Sequence, residues 1–378
     1  MHVLHFSKRI FQDAKGGIEQ VIGQLARGSS KFGVTTEVLA LTAHGPARTE
    51  EIDGYRTHRA RQDVEIASTG FSLSAVSQFA ALARSADVVH YHYPWPFMDL
   101  VHFATRVNKP AVVTYHSDIL RQKRLLHLYR PLQRLFLGSV DRIVATSANY
   151  LATSDVLGRF SDKVSIIPIG LDRVTYPAPR PERLDYWRSR LAEKFFLFVG
   201  VFRYYKGLHI LLDAAVGLDY PIMIVGAGPT EGELRAQATQ LGLCNIHFLG
   251  ELPDEDKIAL LTLCYAVVFP SHLRSEAFGI SLLEGAMFGK PMISSEIGTG
   301  TSFVNADGET GQVVPPSDPA ALREAMRVLW EHPEMAARMG RRAAERYLEH
   351  FTGEQMVRAY IDLYSELVAR RRQPASAR

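Results

Sequence analysis

The chain has 378 residues, enough to form the cores of two domains of ordinary size. Its apolar and charged fractions, 47% and 22%, match a globular protein in water, and a net charge of +3 gives no argument for nucleic acid as a partner. No apolar run approaches the roughly 20 residues of a membrane span, and Val3-Leu4-His5-Phe6 starts a strand directly. A cytoplasmic protein is therefore expected, one that does not cross a bilayer but can lie against its inner face.

Short apolar runs alternate with helical patterns. Strands are expected at 2–6, 34–41, 87–91, 110–115, 141–146 and 164–167. Helices are expected between them at 18–32, 72–84, 97–107, 125–138 and 148–157. In the first helix Ile18, Val21, Ile22 and Leu25 recur at helical spacing. Runs such as Ala111-Val112-Val113 and Ile143-Val144-Ala145 suit strands buried on both faces of a parallel sheet. Pro168, Pro177, Pro179 and Pro181 then break the rhythm and read as a linker. The alternation restarts, with strands at 195–200, 221–225, 245–249, 265–270 and 291–294. The helices of this half fall at 208–216, 230–242, 254–263, 279–289, 318–331, 333–347 and 353–372. The pattern predicts two doubly wound α/β domains, 1–172 and 173–350, followed by a terminal helical segment, 351–378. Ligands of such folds bind at the carboxyl ends of the strands, so a central cleft between the two sheets is expected. Cys244 and Cys264 have apolar surroundings and no metal-like spacing, and are expected to be reduced core residues.

Two glutamates dominate the second half. Glu284 lies one turn into a helix whose other residues are apolar, small or hydroxyl-bearing, where a carboxylate is costly to bury without a partner. Glu276 stands just before that helix, and Phe278, Gly279 and Ile280 at its start offer free N–H groups. The group reads either as a pocket for a phosphorylated sugar or as a solvated helix with two surface acids. Arg203 and Lys206, in the loop after the strand ending at Gly200, can neutralise a diphosphate or stand as two surface cations. Gly226-Ala227-Gly228-Pro229 and Gly250-Glu251-Leu252 follow other strands; both suit a nucleoside site and both suit plain turns.

In the first half, Gly16-Gly17 opens the first helix and can admit a phosphate or form a tight turn. Its spacing is not that of the dinucleotide fingerprint. His116 ends a strand and can meet a sugar hydroxyl or be structural. His90 and His92 alternate along another strand, and at most one is expected to face the site. No Asp-x-Asp stands in a strand-end loop and no His, Cys and carboxylate cluster has ligand spacing, so no catalytic metal is expected. Residues 119–137 carry Arg121, Lys123, Arg124, Arg130 and Arg134 among leucines with no acid; they suit an anionic membrane surface or a helix packed on its own domain. Tyr91, Tyr93, Trp95 and Phe97 form an aromatic stretch that suits acceptor binding or loop packing.

Together Gly16-Gly17, the His116 segment, Val164 to Asp172, Lys206-Gly207, Gly226 to Pro229 and the block from Glu276 to Glu284 resemble the retaining, metal-independent family 4 glycosyltransferases of GT-B fold, over nearly the whole chain. The resemblance implies a second domain that binds a nucleotide-sugar and a first that binds the acceptor, with the terminal helix crossing back to the first. Carried over, Glu284 would hold the ribose hydroxyls and Glu276 the donor sugar's hydroxyls. The amides at 278–280 would touch sugar and phosphate, Arg203 and Lys206 would hold the diphosphate with the Gly17 loop after closure, and His116 would contact the donor sugar. Two positions depart from the family pattern: Val201 stands where many members have arginine, and Ile169-Gly170 replaces the common Asn-Gly. Three segments, Gly16 to Ile22, Arg203 to Leu208 and Gly298 to Asn305, are most similar to bacterial O-antigen mannosyl- and D-rhamnosyltransferases. Those use GDP-sugars and lipid-diphosphate-linked acceptors in lipopolysaccharide biosynthesis, without a cofactor.

The mechanism implied is hexose transfer with retained configuration by front-face attack, the leaving phosphate taking the acceptor's proton, with closure excluding water. A double displacement would need a nearby carboxylate, for which Asp13 and Asp118 are the first-domain candidates. The rival readings are a sugar-nucleotide epimerase of the same architecture, which would rearrange the donor alone, and a non-catalytic two-domain sugar-binding protein. A dinucleotide-dependent oxidoreductase lacks its glycine fingerprint here.

Overall fold

A computed structural model describes residues 1–10, 16–43, 45–67, 69–119 and 123–373. Contacts divide the chain into two units, Met1–Gly170 with the segment from Gly353 onward, and Leu171–Thr352.

The first unit contains β1 (His2–Ser7), β2 (Thr35–Thr42), β3 (Arg48–Ile52), β4 (Tyr55–Arg61), β5 (Val64–Ile66), β6 (Thr69–Phe71), β7 (Val88–Tyr93), β8 (Ala111–Tyr115), β9 (Arg142–Ala145) and β10 (Val164–Ile166). Its helices are α1 (Gly17–Ser30), α2 (Leu73–Ser85), α3 (Pro96–Ala104), α4 (Lys123–Ser139) and α5 (Ala148–Thr153). Eight strands form one sheet in the order β10-β9-β8-β7-β1-β2-β4-β3, parallel except where β3 and β4 pair as a hairpin. The alternation of apolar runs does not predict that hairpin. Its strands are rich in Arg, Glu and Thr, so no apolar run announces them. The turn residues Asp53 and Gly54, both at positive φ, are its local signature. The strands nearest the middle, by contrast, are buried from end to end, as in β7 and β8.

The second unit contains β11 (Phe196–Val199), β12 (Ile222–Val225), β13 (Ile246–Gly250), β14 (Ala266–Phe269), β15 (Met292–Ser295) and β16 (Gly311–Val314). Its helices are α6 (Pro181–Arg188), α7 (Leu208–Ala215), α8 (Glu231–Gln240), α9 (Asp254–Leu263), α10 (Ile280–Met287), α11 (Thr301–Val304), α12 (Pro319–Glu331) and α13 (Pro333–His350). All six strands are parallel, in the order β13-β12-β11-β14-β15-β16. Phe196, Phe198, Ile222, Ile224, Val268 and Ile293 are fully enclosed in its core. The strand order reverses between β11 and β14, and the carboxyl ends of that pair are where a doubly wound sheet opens a crevice.

The last helix, α14 (Gly353–Arg372), belongs to the first unit and packs along α1. Gly28 permits the approach, since a side chain there would collide with Val357. Tyr360 and Tyr364 of α14 reach the sheet, where they hydrogen-bond Thr114 at 2.7 Å and His90 at 2.6 Å.

Candidate functional site

The loop after β11 is held by backbone on one side. Phe202 N–H donates to the Ala227 carbonyl at 2.8 Å, and Gly226 N–H to the Gly250 carbonyl at 2.8 Å. Gly226 has φ +132°, and a side chain there would strike the Gly200 carbonyl. Gly226 thus locks two loops together in the described structure. Leu252 is half-buried in the loop after β13, two strands away from β11. Gly207, at φ +70°, ends the short 3-10 turn Tyr204–Lys206 with its Cα against the Pro270 carbonyl that follows β14. His272 closes the other side, with Nδ1 2.9 Å from Ser317 Oγ and Nε2 3.1 Å from the Tyr204 carbonyl oxygen.

This frame brings Lys206, from the β11 loop, onto Glu276, from the β14 loop, as an ion pair with both side chains nearly enclosed. Burial alone would lower the Lys206 pKa, but the Glu276 carboxylate outweighs it and holds the ammonium above its ordinary value. The Lys206 Nζ also lies 4.8 Å from the Phe269 ring centroid. Arg203 differs: its side chain is exposed and makes no ion pair among the described residues. Val201 beside it is exposed as well.

Gly279, at φ +90°, caps α10. Among the described residues, the amides of Phe278, Gly279 and Ile280 donate to no protein acceptor, while Ser281 Oγ bonds the Val199 carbonyl at 2.8 Å. Three amides without a protein acceptor at a helix start can receive an anion. Glu284, one turn further, is buried. Its Oε1 accepts from Lys257 Nζ at 2.9 Å and from Tyr176 OH at 2.8 Å. Burial disfavours the Lys257 charge, yet Glu284 more than compensates and raises its pKa. Oε2 accepts from neither group. The second unit thus gathers Lys206, Glu276, the 278–280 amides and Glu284 within two strand-end loops and one helix.

In the first unit, His116 follows β8 and is buried, with Nε2 3.0 Å from His92 Nδ1. His92 Nε2 lies 3.0 Å from His5 Nδ1. His90 and His92 both point to this face, with ring centroids 4.4 Å apart. The expectation that at most one would do so is overturned, because residues two apart in a strand share a face. His5, His90 and His92 bring ligand-type nitrogens within 4.8 Å, a grouping that their separation in sequence concealed. Every ring nitrogen of His90 and His92 already holds a hydrogen bond, to Thr114, Tyr364, His5 and His116. The cluster is a hydrogen-bonded network, and burial holds the pKa values of His5, His90 and His92 well below the ordinary value, so the rings are neutral.

Gly16 caps α1 and Gly17 is its first residue. The space above Gly16 is taken by the carboxylate of Glu19, which a side chain at 16 would strike. Burial raises the Glu19 pKa, against the pull of its own backbone N–H and of Arg9 and Lys8. The Glu19 carboxylate meets the α1 dipole here. Asp118 Oδ1 accepts from Tyr115 OH at 2.8 Å and Ser154 Oγ at 2.9 Å, and so is engaged within its own unit. Asp13 and Arg121 lie outside the described residues, as do the side chains of Lys123 and Arg124. Cys264 is buried as expected, its thiol pushed up to about 12 by burial, but Cys244 is exposed after the turn at Gly242.

Two family models match the chain: glycosyltransferase family 4 over residues 15–174 and glycosyl transferases group 1 over residues 181–346. The chain is 63% identical to the D-rhamnosyltransferase WbpZ of Pseudomonas aeruginosa, over 93% of this chain and 92% of that protein. The chain belongs to this glycosyltransferase family. It is also 50% identical to the O-antigen chain mannosyltransferase C of Escherichia coli, over 97% and 99% of the two chains. Among solved structures, the sucrose-phosphate synthase of Thermosynechococcus elongatus superposes with a TM-score of 0.80 at 21% identity, covering 98% of this chain and 99% of that one. The fold of this glycosyltransferase is accordingly GT-B, built from two Rossmann-like units.

Sequence reasoning missed two members of the glycosyltransferase's second-unit site. Lys257 sits in Asp254-Glu255-Asp256-Lys257, which reads as a solvated helix start, and Tyr176 sits inside the proline cluster taken for a linker. Tyr176 is buried, edge-on to Phe288 at 6.3 Å, so that stretch is part of the second unit's packing. The signal that could have found Lys257 was the need of buried Glu284 for a cation.

Proposed function

We propose that this glycosyltransferase moves a hexose, D-rhamnose or mannose, from a GDP-sugar to a lipid-diphosphate-linked saccharide in O-antigen synthesis. The reaction retains anomeric configuration and needs no metal. One observation carries the nucleotide half: Lys206, Glu276, three free amides and Glu284 converge where the strand order of the second sheet reverses. The diphosphate takes the α10 amides, with Lys206 and the exposed Arg203 against its oxygens. Glu276 reads sugar hydroxyls and Glu284 Oε2 the ribose. In the absence of ligand each buried cation and acid already has its counter-charge, so phosphate and hydroxyls exchange for existing partners rather than for none. As the sugar leaves, charge grows on the diphosphate, and donors already aimed there stabilise it without reorganisation. In the first unit, His116 offers its free nitrogen to a substrate sugar hydroxyl. The 63% and 50% identities to a D-rhamnosyltransferase and an O-antigen mannosyltransferase support the choice of sugar and pathway.

Calorimetry with GDP, UDP and dTDP tests the donor, with GDP expected to bind tightest. Loss of that binding in Glu284→Ala is expected; a nucleotide that binds Glu284→Ala as well as the parent would overturn the ribose role. NMR of the product tests stereochemistry, and inversion would refute the mechanism.

A further inference from the structure

Three imidazoles run in series across the face of the first unit's sheet. His5 Nδ1 lies 3.0 Å from His92 Nε2, and His92 Nδ1 lies 3.0 Å from His116 Nε2. Successive rings are nearly parallel, at 18° and 21°. Each of these bonds takes one hydrogen, carried by one of its two nitrogens. The rings are neutral: burial drives the pKa of His5 and of His116 down to about 3, and that of His92 well below its ordinary value. A neutral imidazole carries a single hydrogen. These two conditions leave only two arrangements. Either all three rings are protonated on Nδ1, or all three on Nε2.

The choice decides what His116 presents at the end of the chain. In the first arrangement its outer nitrogen, Nδ1, is a donor; in the second it is an acceptor. Neither outer nitrogen, His5 Nε2 or His116 Nδ1, has a protein partner among the described residues. His90 lies beside the series without joining it, since its nitrogens are taken by Thr114 and Tyr364. The series is therefore unbranched, and a change of tautomer at one ring must pass through all three.

We propose that His5 and His92 are positioning residues that tie the tautomer of His116 to their own, so that its Nδ1 meets a substrate sugar hydroxyl in the sense shared by the whole series. The inference rests on the reading of His116 as a sugar contact given above. Histidine 15N spectra of the full chain at pH 7, assigned with single variants, should show His5, His92 and His116 in the same tautomer. Mixed tautomers, or an imidazolium at any of the three, would overturn the proposal. In His92→Phe the His116 ring loses its partner. Its 15N signals should move towards exchange between tautomers, and turnover should fall by about tenfold, the order of one hydrogen bond. Affinity for the nucleoside diphosphate, held by the second unit, should stay within about twofold, because no group that touches it has changed. Unchanged turnover in a folded His92→Phe would overturn the positioning role; should that variant melt early, His5→Phe breaks the far bond with the same expected readouts. His116→Ala separates the two claims. If it leaves turnover intact, the sugar contact itself fails. If it abolishes turnover while His92→Phe is silent, only the positioning role fails.

Discussion

Lys257 Nζ lies 2.9 Å from Glu284 Oε1, joining the first turn of α9 to the buried middle of α10. A buried carboxylate without its cation is costly. Lys257→Met should therefore cost about 2–4 kcal/mol in urea unfolding of the second unit, mostly from the stranded carboxylate. The double variant Lys257→Met with Glu284→Leu should regain much of that stability yet bind no nucleotide. The Lys257 pKa is raised in the native state, so its contribution is complete below the unfolded value of about 10.5 and disappears only in stronger alkali. A Lys257→Met chain as stable as the parent at pH 7 would show that this ion pair does not hold α9 to α10.

Arg203 and Lys206 occupy one loop, but the structure separates their roles. Arg203 is exposed and unpaired among the described residues, so Arg203→Ala should leave the melting temperature within about a degree. Turnover should nevertheless drop by about 100-fold, the scale for removing one donor to a developing anion. Lys206→Ala must lower both, because Glu276 is left enclosed without its cation. Steady-state kinetics alongside thermal melts distinguishes the two; an active Arg203→Ala enzyme would remove that residue from the transition state.

Much of this site could be read before any coordinates, for a specific reason. An acid in an apolar helix, a glycine before it and a cation after a strand are local patterns, and Glu284, Gly279 and Lys206 displayed them. What escaped reading depends on register or on distant partners. Lys257 meets Glu284 from 27 residues away. His5 meets His90 and His92 only because β1 pairs with β7 at one register, His5 opposite His90. The β3–β4 hairpin escaped because its inward positions include Thr57 and Arg59, buried polar residues that leave no apolar run. Gly16-Gly17 suits a phosphate or a tight turn in sequence alone, which does not say that the Glu19 carboxylate folds over Gly16.

The histidine series also predicts acid sensitivity. Its members have native pKa values below their unfolded value of about 6.5, so the unfolded chain binds more protons as pH falls. Stability should thus be flat above pH 6.5 and fall below it. His5 and His116, both held down to about 3 by burial, should together make stability fall as the pH drops from about 6.5 towards 3. Urea midpoints from pH 7 to pH 5 measure this, followed by signals of the first unit. His92→Phe removes one titrating group and should flatten the slope; an equally steep decline would place the acid sensitivity elsewhere.

Helix α4 bears on how the enzyme would meet a lipid-linked acceptor. Leu128 and Leu135 are 80% and 65% exposed. Seven residues apart, they lie two turns apart on one stripe, while Gln133, Phe136 and Leu137 face inward. Arg130 and Arg134 are exposed on the same helix, and 119–137 contains no acid. Isolated exposed leucines are ordinary, but two in register among cations match a surface that lies on anionic lipid. Replacing both leucines by serine should reduce co-sedimentation with phosphatidylglycerol vesicles by at least about tenfold, since each leucine contributes roughly 1.5 kcal/mol or more when taken from water. Stability should change by less than about 0.5 kcal/mol, because neither side chain is buried in the fold. Raising salt to 0.5 M should weaken the parent's binding through the arginines, while binding that remains should still depend on the leucines. Vesicle binding that ignores both the leucines and the salt would leave α4 as a solvated helix of the first unit.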